Sequence, residues 1–286
     1  VIQFLPDNRT HQLFSAFLQD EIQLVPDRLR LTLGLRCEHN DSTGFEFQPN
    51  TRLLWTINKQ QSVWAAASRA VRTPTRLEED LQIVTPGVSF VGNRDFGAES
   101  VIAYELGYRI QPAHWLALDI ATFYNNYDDL RSIEFTGTSF TSGNKLNAQT
   151  YGVEVGATMK AAEWWTIRVA YTHLNVQLQT DPGSTDTMSV AASGNDPQNQ
   201  VYLRSSMNIT RNVDLDCAVR YVGELSSQHV PGYVAADVRL AWRPNEHLEL
   251  AVVGQNLLDS RHPEFGASTS RHELQRGGYA MLTYKW

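Results

Sequence analysis

The sequence lacks the marks of a helical membrane protein and those of the common enzyme families. No apolar run approaches the roughly 20 residues that a spanning helix needs. The longest, such as "VWAAA" at Val63 to Ala67, break off within one or two turns' worth of chain, and mean hydropathy is −0.34. A bundle of membrane helices is therefore excluded. Cysteine is scarce: Cys37 and Cys217 stand far apart and build neither a disulfide framework nor a CxxC metal site. Both fall on the apolar parity of their segments and read as small hydrophobes. Lysine and arginine nowhere cluster, and the formal net charge is −7, so no nucleic-acid footprint is present. Motifs such as GxSxG, HExxH, a phosphate loop or a dinucleotide fingerprint are missing, so the chain is expected not to be an enzyme, and no cofactor is implied. The opening "VIQFLPDNRT" has no Met, basic stretch or apolar leader and reads as cut from a longer chain.

What the sequence does have is alternation with a period of two. Leu29, Leu31, Leu33, Leu35 and Cys37 alternate with Arg30, Thr32, Gly34, Arg36 and Glu38; Tyr104, Leu106, Tyr108 and Ile110 alternate with Glu105, Gly107 and Arg109. Such segments are strands with one wet face. The pattern returns in "TYGVEVGATMK", "WTIRVAYT", "VDLDCAVRY", "VAADVRLAW" and "LELAVVGQN", and less clearly in 11–25, 45–57 and 62–72. The reading is all-β, with about thirteen antiparallel strands.

Two kinds of connection join them. Tight turns are expected at "VPDR" (25–28), "NKQQ" (58–61), "QPAH" (111–114), "KAAE" (160–163), "TRN" (210–212) and "RPNEH" (243–247). Long loops are expected at 73–98, 131–147, 181–199, 223–232 and 259–275. Short turns on one rim and long loops on the other suit a transmembrane β-barrel of the outer membrane. The tryptophans fit that reading: Trp55, Trp64, Trp115, Trp164, Trp165, Trp242 and Trp286 all fall beside tight turns or at the terminus, as an aromatic girdle would. Tyr124, Tyr127, Tyr151, Tyr171, Tyr221 and Tyr233 fall at the loop ends as a second band. An odd strand count that starts from the loop side implies a partial barrel with N-terminal strands missing.

Several stretches, taken in order, resemble a known family. "SRAVRTPTRLEEDL" at 68–81, the segment 99–134 from "ESVIAYELGYR" to "DDLRSIE", "QTYGVEVGATMKA" at 149–161, "VPGYVAADVRLAWRPN" at 230–245, "AVVGQNLLD" at 251–259 and the terminal "YAMLTYKW" resemble the C-terminal part of TonB-dependent outer-membrane receptors. The resemblance spans nearly all of 1–286 as one barrel portion. It implies a barrel of about 22 strands around a plug, with plug and TonB box absent here. It further implies active uptake of a scarce large substrate: a ferric siderophore, haem, cobalamin or a glycan. The implied partners are TonB through the missing plug, membrane lipid and lipopolysaccharide, a small or medium-sized ligand, and the barrel-assembly machinery, which would read Leu282, Tyr284 and Trp286 on the last strand. A passive porin-like channel and a soluble β-rich binding domain are the alternatives.

Within that frame, loop 73–98 is the expected ligand-contact surface. Arg72, Arg76 and Arg94 could meet an anionic chelate, with Asp95 beside them, although Glu78, Glu79 and Asp80 oppose an anion-selective surface. His39, His173, His229, His262 and His272 gather at the loop rim, but no pair has the i, i+2 spacing that puts two imidazoles on one strand face, so no metal site is expected. Charges at Glu105, Arg109, Asp119, Glu154, Arg168, Arg204, Asp214, Asp216, Arg220, Asp237, Arg239 and Glu249 share the wet parity and line it.

Overall fold

The computed structural model describes all 286 residues. Thirteen long strands carry the fold: β1 Leu13–Val25, β2 Leu29–Asn40, β3 Gly44–Asn58, β4 Gln61–Arg72, β5 Glu99–Ala113, β6 Leu116–Phe135, β7 Phe140–Ala162, β8 Trp165–Thr180, β9 Asn199–Thr210, β10 Val213–Val222, β11 Tyr233–Asn245, β12 Leu248–Gln255 and β13 Gly277–Tyr284. Each hydrogen-bonds its neighbours in the chain, from β1 at one edge of the sheet to β13 at the other. This is the antiparallel all-β architecture that the alternation calls for, and every expected tight turn is found. In "VPDR" the turn needs a left-handed residue after Pro26; Asp27 supplies it at φ 58°, and Arg28 N–H closes on Val25 O at 3.1 Å.

The chain divides into two compact units. One comprises Val1–Gly107, Thr122–Tyr151 and Val176–Ser193. Here β1 to β4 form a meander in which Leu29, Trp55 and Val63 lie side by side on one face and Arg30, Leu54 and Trp64 on the other. Trp64 therefore departs from the expected girdle. It is buried at 9% exposure on the charged face, with the Arg52 guanidinium 4.6 Å over its ring, whereas Trp55 on the opposite face is 50% exposed. The physical reason is a slot: a Cβ at Gly107 would lie 2.6 Å from Trp64 Cζ2, so the indole occupies the space that this glycine leaves open.

A second departure concerns 131–147, expected as a loop. It is the end of a long hairpin: β6 runs to Phe135, β7 starts at Phe140, and Thr136 N–H closes the turn on Ser139 O at 2.9 Å. Its serines, asparagines and glycine look like loop material, yet here they satisfy one another and the neighbouring chain. Asn144 Nδ2 donates to Asp129 O at 2.7 Å, Asn147 Nδ2 to Asp181 Oδ1 at 2.6 Å, and Ser132 Oγ accepts from Lys145 N at 3.2 Å. The segment 181–193 docks on the hairpin through carboxylates: Glu134 accepts from Ser184 Oγ and Thr185 N at 2.7 and 2.8 Å, and Asp186 from Ile133 N at 2.7 Å.

The other unit comprises Tyr108–Ala121, Gly152–Asn175 and Gly194–Trp286. Its strands separate two faces. On one, Val213, Trp242, Leu250 and Leu282 align in register across β10 to β13, with Leu215, Leu240, Val252 and Ala280 in the next row. On the other, charges interlock across β9 to β12. Arg204 meets Asp216 at 2.9 Å, Arg239 meets Asp216 at 3.6 Å and Glu249 at 2.5 Å, and Arg243 meets Asp214 at 2.6 Å. The apolar rows stay bare: Leu240, Val252 and Leu282 are 49, 63 and 65% exposed. The hydrophobic effect does not let contiguous rows of bare aliphatic side chains face water, so this face is built for an apolar medium.

Candidate functional site

The most organised polar cluster lies in the segment between β4 and β5. Thr75 caps the helix α1 (Arg76–Glu79) through a capping box: its side chain accepts from the backbone above it, while the Glu78 carboxylate accepts from Thr75 N at 2.9 Å and Thr75 Oγ1 at 2.5 Å. Asp80 ends the helix, and the chain turns into a short hairpin of Leu81–Thr85 and Val88–Val91, with Gly87 at φ 89°. Gly92 then passes so close to the helix end that a Cβ there would meet Glu79 O at 2.5 Å. Phe140 and Thr141 of β7 pair in parallel with Phe90 and Val91, which seats the hairpin on the long β6–β7 extension.

This path buries three successive carboxylates, Glu78, Glu79 and Asp80, and surrounds them with five arginines drawn from distant parts of the unit. Asp80, fully buried at its side chain, meets Arg76 Nε at 3.1 Å, Arg9 Nη1 at 3.3 Å and Arg94 Nη2 at 3.4 Å. Glu79 meets Arg9 Nη1 at 2.5 Å. Glu78 meets Arg72 at 3.2 Å and Arg131 at 3.7 Å, and Arg72 also grips Glu99 through Nε and Nη2 at 2.5 and 2.8 Å. Under Arg72 lies the buried ring of Phe96, 5.8 Å from the guanidinium. Burial by itself would raise the Glu78 carboxyl, but hydrogen bonds from Thr75 and the charge of Arg72 outweigh it and hold it below its ordinary value. Burial likewise works against Asp80, where Arg76, Arg9 and Arg94 prevail and keep the carboxyl low.

The expected ligand-contact residues thus come together, though in unequal states. Arg72 is engaged by two carboxylates, and Arg76 by Asp80 and the carbonyls of Pro6 and Asp7. Arg94 is 63% exposed, with one nitrogen turned to Asp80, and Asp95 is exposed. Arg9 and Arg131 were not among the sequence candidates; each reaches the cluster from far along the chain. The acids do not form an anionic surface, since they lie beneath the guanidiniums.

The other candidates lie elsewhere. Leu282 and Tyr284 are exposed on the apolar face of β13, and Lys285 N–H bonds His247 O at 2.8 Å just before the exposed Trp286. Trp115 and Trp242 are exposed beside turns; Trp165 stacks on Trp164 at 5.9 Å and donates from Nε1 to Ser205 Oγ at 2.8 Å. Among the rim histidines, His262 is buried, stacked 4.3 Å from Tyr233, with Nδ1 3.1 Å from Asp259 and Nε2 3.2 Å from Glu264. The two carboxylates face opposite ring nitrogens, a clamp on the imidazole and not a shared chelate.

Comparison with known proteins fits this architecture. The family model "TonB dependent receptor-like, beta-barrel" matches residues 3–257. The chain is 26% identical over 184 residues to the iron-regulated outer membrane virulence protein of Vibrio cholerae, covering 58% of the chain and 28% of that protein. It is 23% identical over 317 aligned positions to the ferric enterobactin receptor of Pseudomonas aeruginosa, covering 96% of the chain and 40% of the receptor. Among solved structures, the siderophore receptor PirA of Acinetobacter baumannii superposes with a TM-score of 0.79 at 17% identity, over 96% of this chain and 46% of that one. A ferric enterobactin receptor mutant of Pseudomonas aeruginosa, in complex with enterobactin, gives 0.77 at 19% identity, over 96% and 45%. The chain spans less than half the length of each of these relatives. One sheet face carries bare apolar rows and the other a ladder of paired charges, and the family model covers nearly the whole chain: the chain belongs to the TonB-dependent receptor β-barrel family of the bacterial outer membrane.

Proposed function

We propose that the chain is the C-terminal barrel portion of a receptor that takes up a ferric siderophore, driven through TonB. The observation that carries this reading is the family match over residues 3–257, on a sheet with one lipid-suited and one charge-lined face. Relatives named for iron regulation, enterobactin and siderophores support the substrate class. The barrel performs no covalent chemistry. Loop 73–98 contacts the ligand through Arg76, Arg94 and Asp95, while Arg72, gripped by Glu78 and Glu99, positions the loop. Trp55, Trp115, Trp165, Trp242 and Trp286 form the inner-rim girdle in contact with lipid, and lipopolysaccharide meets the loop side. Leu282, Tyr284 and Trp286 present the assembly signal, an apolar strand face at a sheet edge, to the barrel-assembly machinery.

The test is uptake of iron-labelled ferric enterobactin by cells whose own siderophore receptors are deleted, complemented with the full-length parent, with and without TonB. Uptake that requires both is expected. Equal uptake without TonB would mean a passive channel, and no uptake of this or any other ferric siderophore would end the substrate assignment.

A further inference from the structure

We infer that residues 1–7 are a releasable strap over loop 73–98, hinged at Arg9, clamped by Arg76 and Arg94 and freed when an anionic ligand takes those two guanidiniums. The inference rests on the ligand-contact reading of the loop and adds how access to it is controlled.

The geometry is that of a clamp with two jaws. Arg76 holds Asp80 with Nε at 3.1 Å and, with its other nitrogens, the carbonyls of Asp7, at 3.2 Å, and Pro6; its guanidinium also lies 5.0 Å over the Phe4 ring. Arg94 does the same on a smaller scale, with Asp80 at 3.4 Å and Leu5 O at 3.1 Å. The strap completes the fit with a strand: Ile2, Gln3 and Phe4 pair antiparallel with Ile83, Gln82 and Leu81, Leu5 N–H bonds Asp80 O at 2.9 Å, and Gln3 Nε2 donates to Gln82 Oε1 at 2.8 Å. Arg9 pins the far end on Glu79.

Two features make this attachment releasable. The contacts that hold the strap on the loop are mostly polar, backbone pairing and guanidinium-to-carbonyl bonds. Polar adhesion of this kind is weakened by any competitor for the same donors, whereas apolar burial is not. The charges also do not balance. Five guanidiniums (Arg9, Arg72, Arg76, Arg94, Arg131) face four carboxylates (Glu78, Glu79, Asp80, Glu99), and three of the five crowd Asp80 alone. Arg9 is matched by Glu79, so Asp80 is left to serve both Arg76 and Arg94, which keep binding capacity for a polyanion. If they turn to one, Asp80 still has Arg9, but the strap loses its clamps on the Leu5, Pro6 and Asp7 carbonyls. An external anion and the strap therefore compete for the same donors.

The test uses the full-length receptor in lipid vesicles, with Cys37 and Cys217 replaced by Ala and a spin label on Ile2→Cys. The label is expected to be immobile alone and to become several-fold faster in rotation with saturating ferric enterobactin or, more weakly, with citrate. An Arg76→Gln/Arg94→Gln receptor should be mobile without any anion. Conversely, oxidation of a Gln3→Cys/Gln82→Cys pair, which face each other in register, should lower chelate affinity at least tenfold, with recovery on reduction. A label that stays immobile under both anions in the otherwise intact receptor overturns the strap, as does an oxidised pair that binds like wild type. The uptake assay judges the transport reading separately: an immobile label in a receptor that transports ferric enterobactin refutes only the strap. A label released by citrate in a receptor that transports no ferric siderophore supports the strap and refutes the transport reading.

Discussion

The slot at Gly107 gives the sharpest energetic prediction. On β5 this glycine lies on the charged face against the Trp64 indole, and a Cβ there would sit 2.6 Å from Trp64 Cζ2, more than an ångström inside van der Waals contact. The ring has little room to yield, being 9% exposed with Arg52 stacked above it at 4.6 Å. Gly107→Ala should therefore cost about 1–3 kcal/mol, the usual range for overpacking. Trp64→Ala removes a large buried side chain and should cost about 3 kcal/mol. In the Trp64→Ala background the obstacle is gone, and alanine in place of a strand glycine should then stabilise by about 0.5–1 kcal/mol, because the unfolded chain loses less freedom on ordering. The sign of the Gly107→Ala effect thus reverses between backgrounds, a coupling of about 1.5–4 kcal/mol for residues in direct contact. Urea unfolding of the full-length barrel in detergent, followed by circular dichroism because a tryptophan is removed, measures all four corners of the cycle. The same cost for Gly107→Ala in both backgrounds would refute the slot.

The remaining predictions concern the two faces, the acid cluster and the final residue. Val169→Arg and Leu240→Arg, on the apolar face, should each cost about 2–4 kcal/mol in the same unfolding assay, and Thr172→Arg on the charged face much less; equal costs would mean that both faces meet one solvent. Glu78 and Asp80 have carboxyls held low in the folded loop, so their stabilisation is complete above about pH 4, where unfolded carboxylates ionise, and is lost as pH falls through the lower folded values. Hydrogen exchange of 73–98 should accordingly stay slow from pH 7 to 5 and show loss of protection only below about pH 4; a loss that begins near neutrality would contradict this sign. Trp286→Ala should reduce the cellular yield of heat-modifiable folded barrel far more than its urea stability, since a single exposed anchor is worth about 1.5–3 kcal/mol at most. A normal yield would remove Trp286 from the assembly signal.

Much of this protein could be read from local pattern. Period-two alternation is a property of the strand itself, each residue choosing a face by its position, so Leu29 to Cys37 and Tyr104 to Ile110 announced strands without reference to anything distant. The turns were legible for the same reason: "VPDR" carries its own fixed φ at Pro26 and its own left-handed candidate at Asp27. Strand number, turn positions, the charge ladder on one parity and the family all followed from neighbours in sequence.

What failed locally was decided by partners far along the chain. Residues 62–67 put small or apolar side chains on both parities, so nothing nearby turned Trp64 inward; the missing Cβ at Gly107, more than forty residues later, did. Residues 131–147 have loop composition, and partners elsewhere in the chain, among them Asp129, Asp181, the chain around Thr185 and Gly97, make their polar groups satisfiable as strand. Glu78, Glu79 and Asp80 look like a solvated acidic run. They are buried because Arg9 and Arg131 arrive from outside the loop to join Arg72, Arg76 and Arg94, and a buried charge is tolerable only where such partners converge. Alternation assigns a residue to a face, but which charge lies beneath which, and which slot a ring fills, depends on contacts that exist only once the strands and loops have assembled.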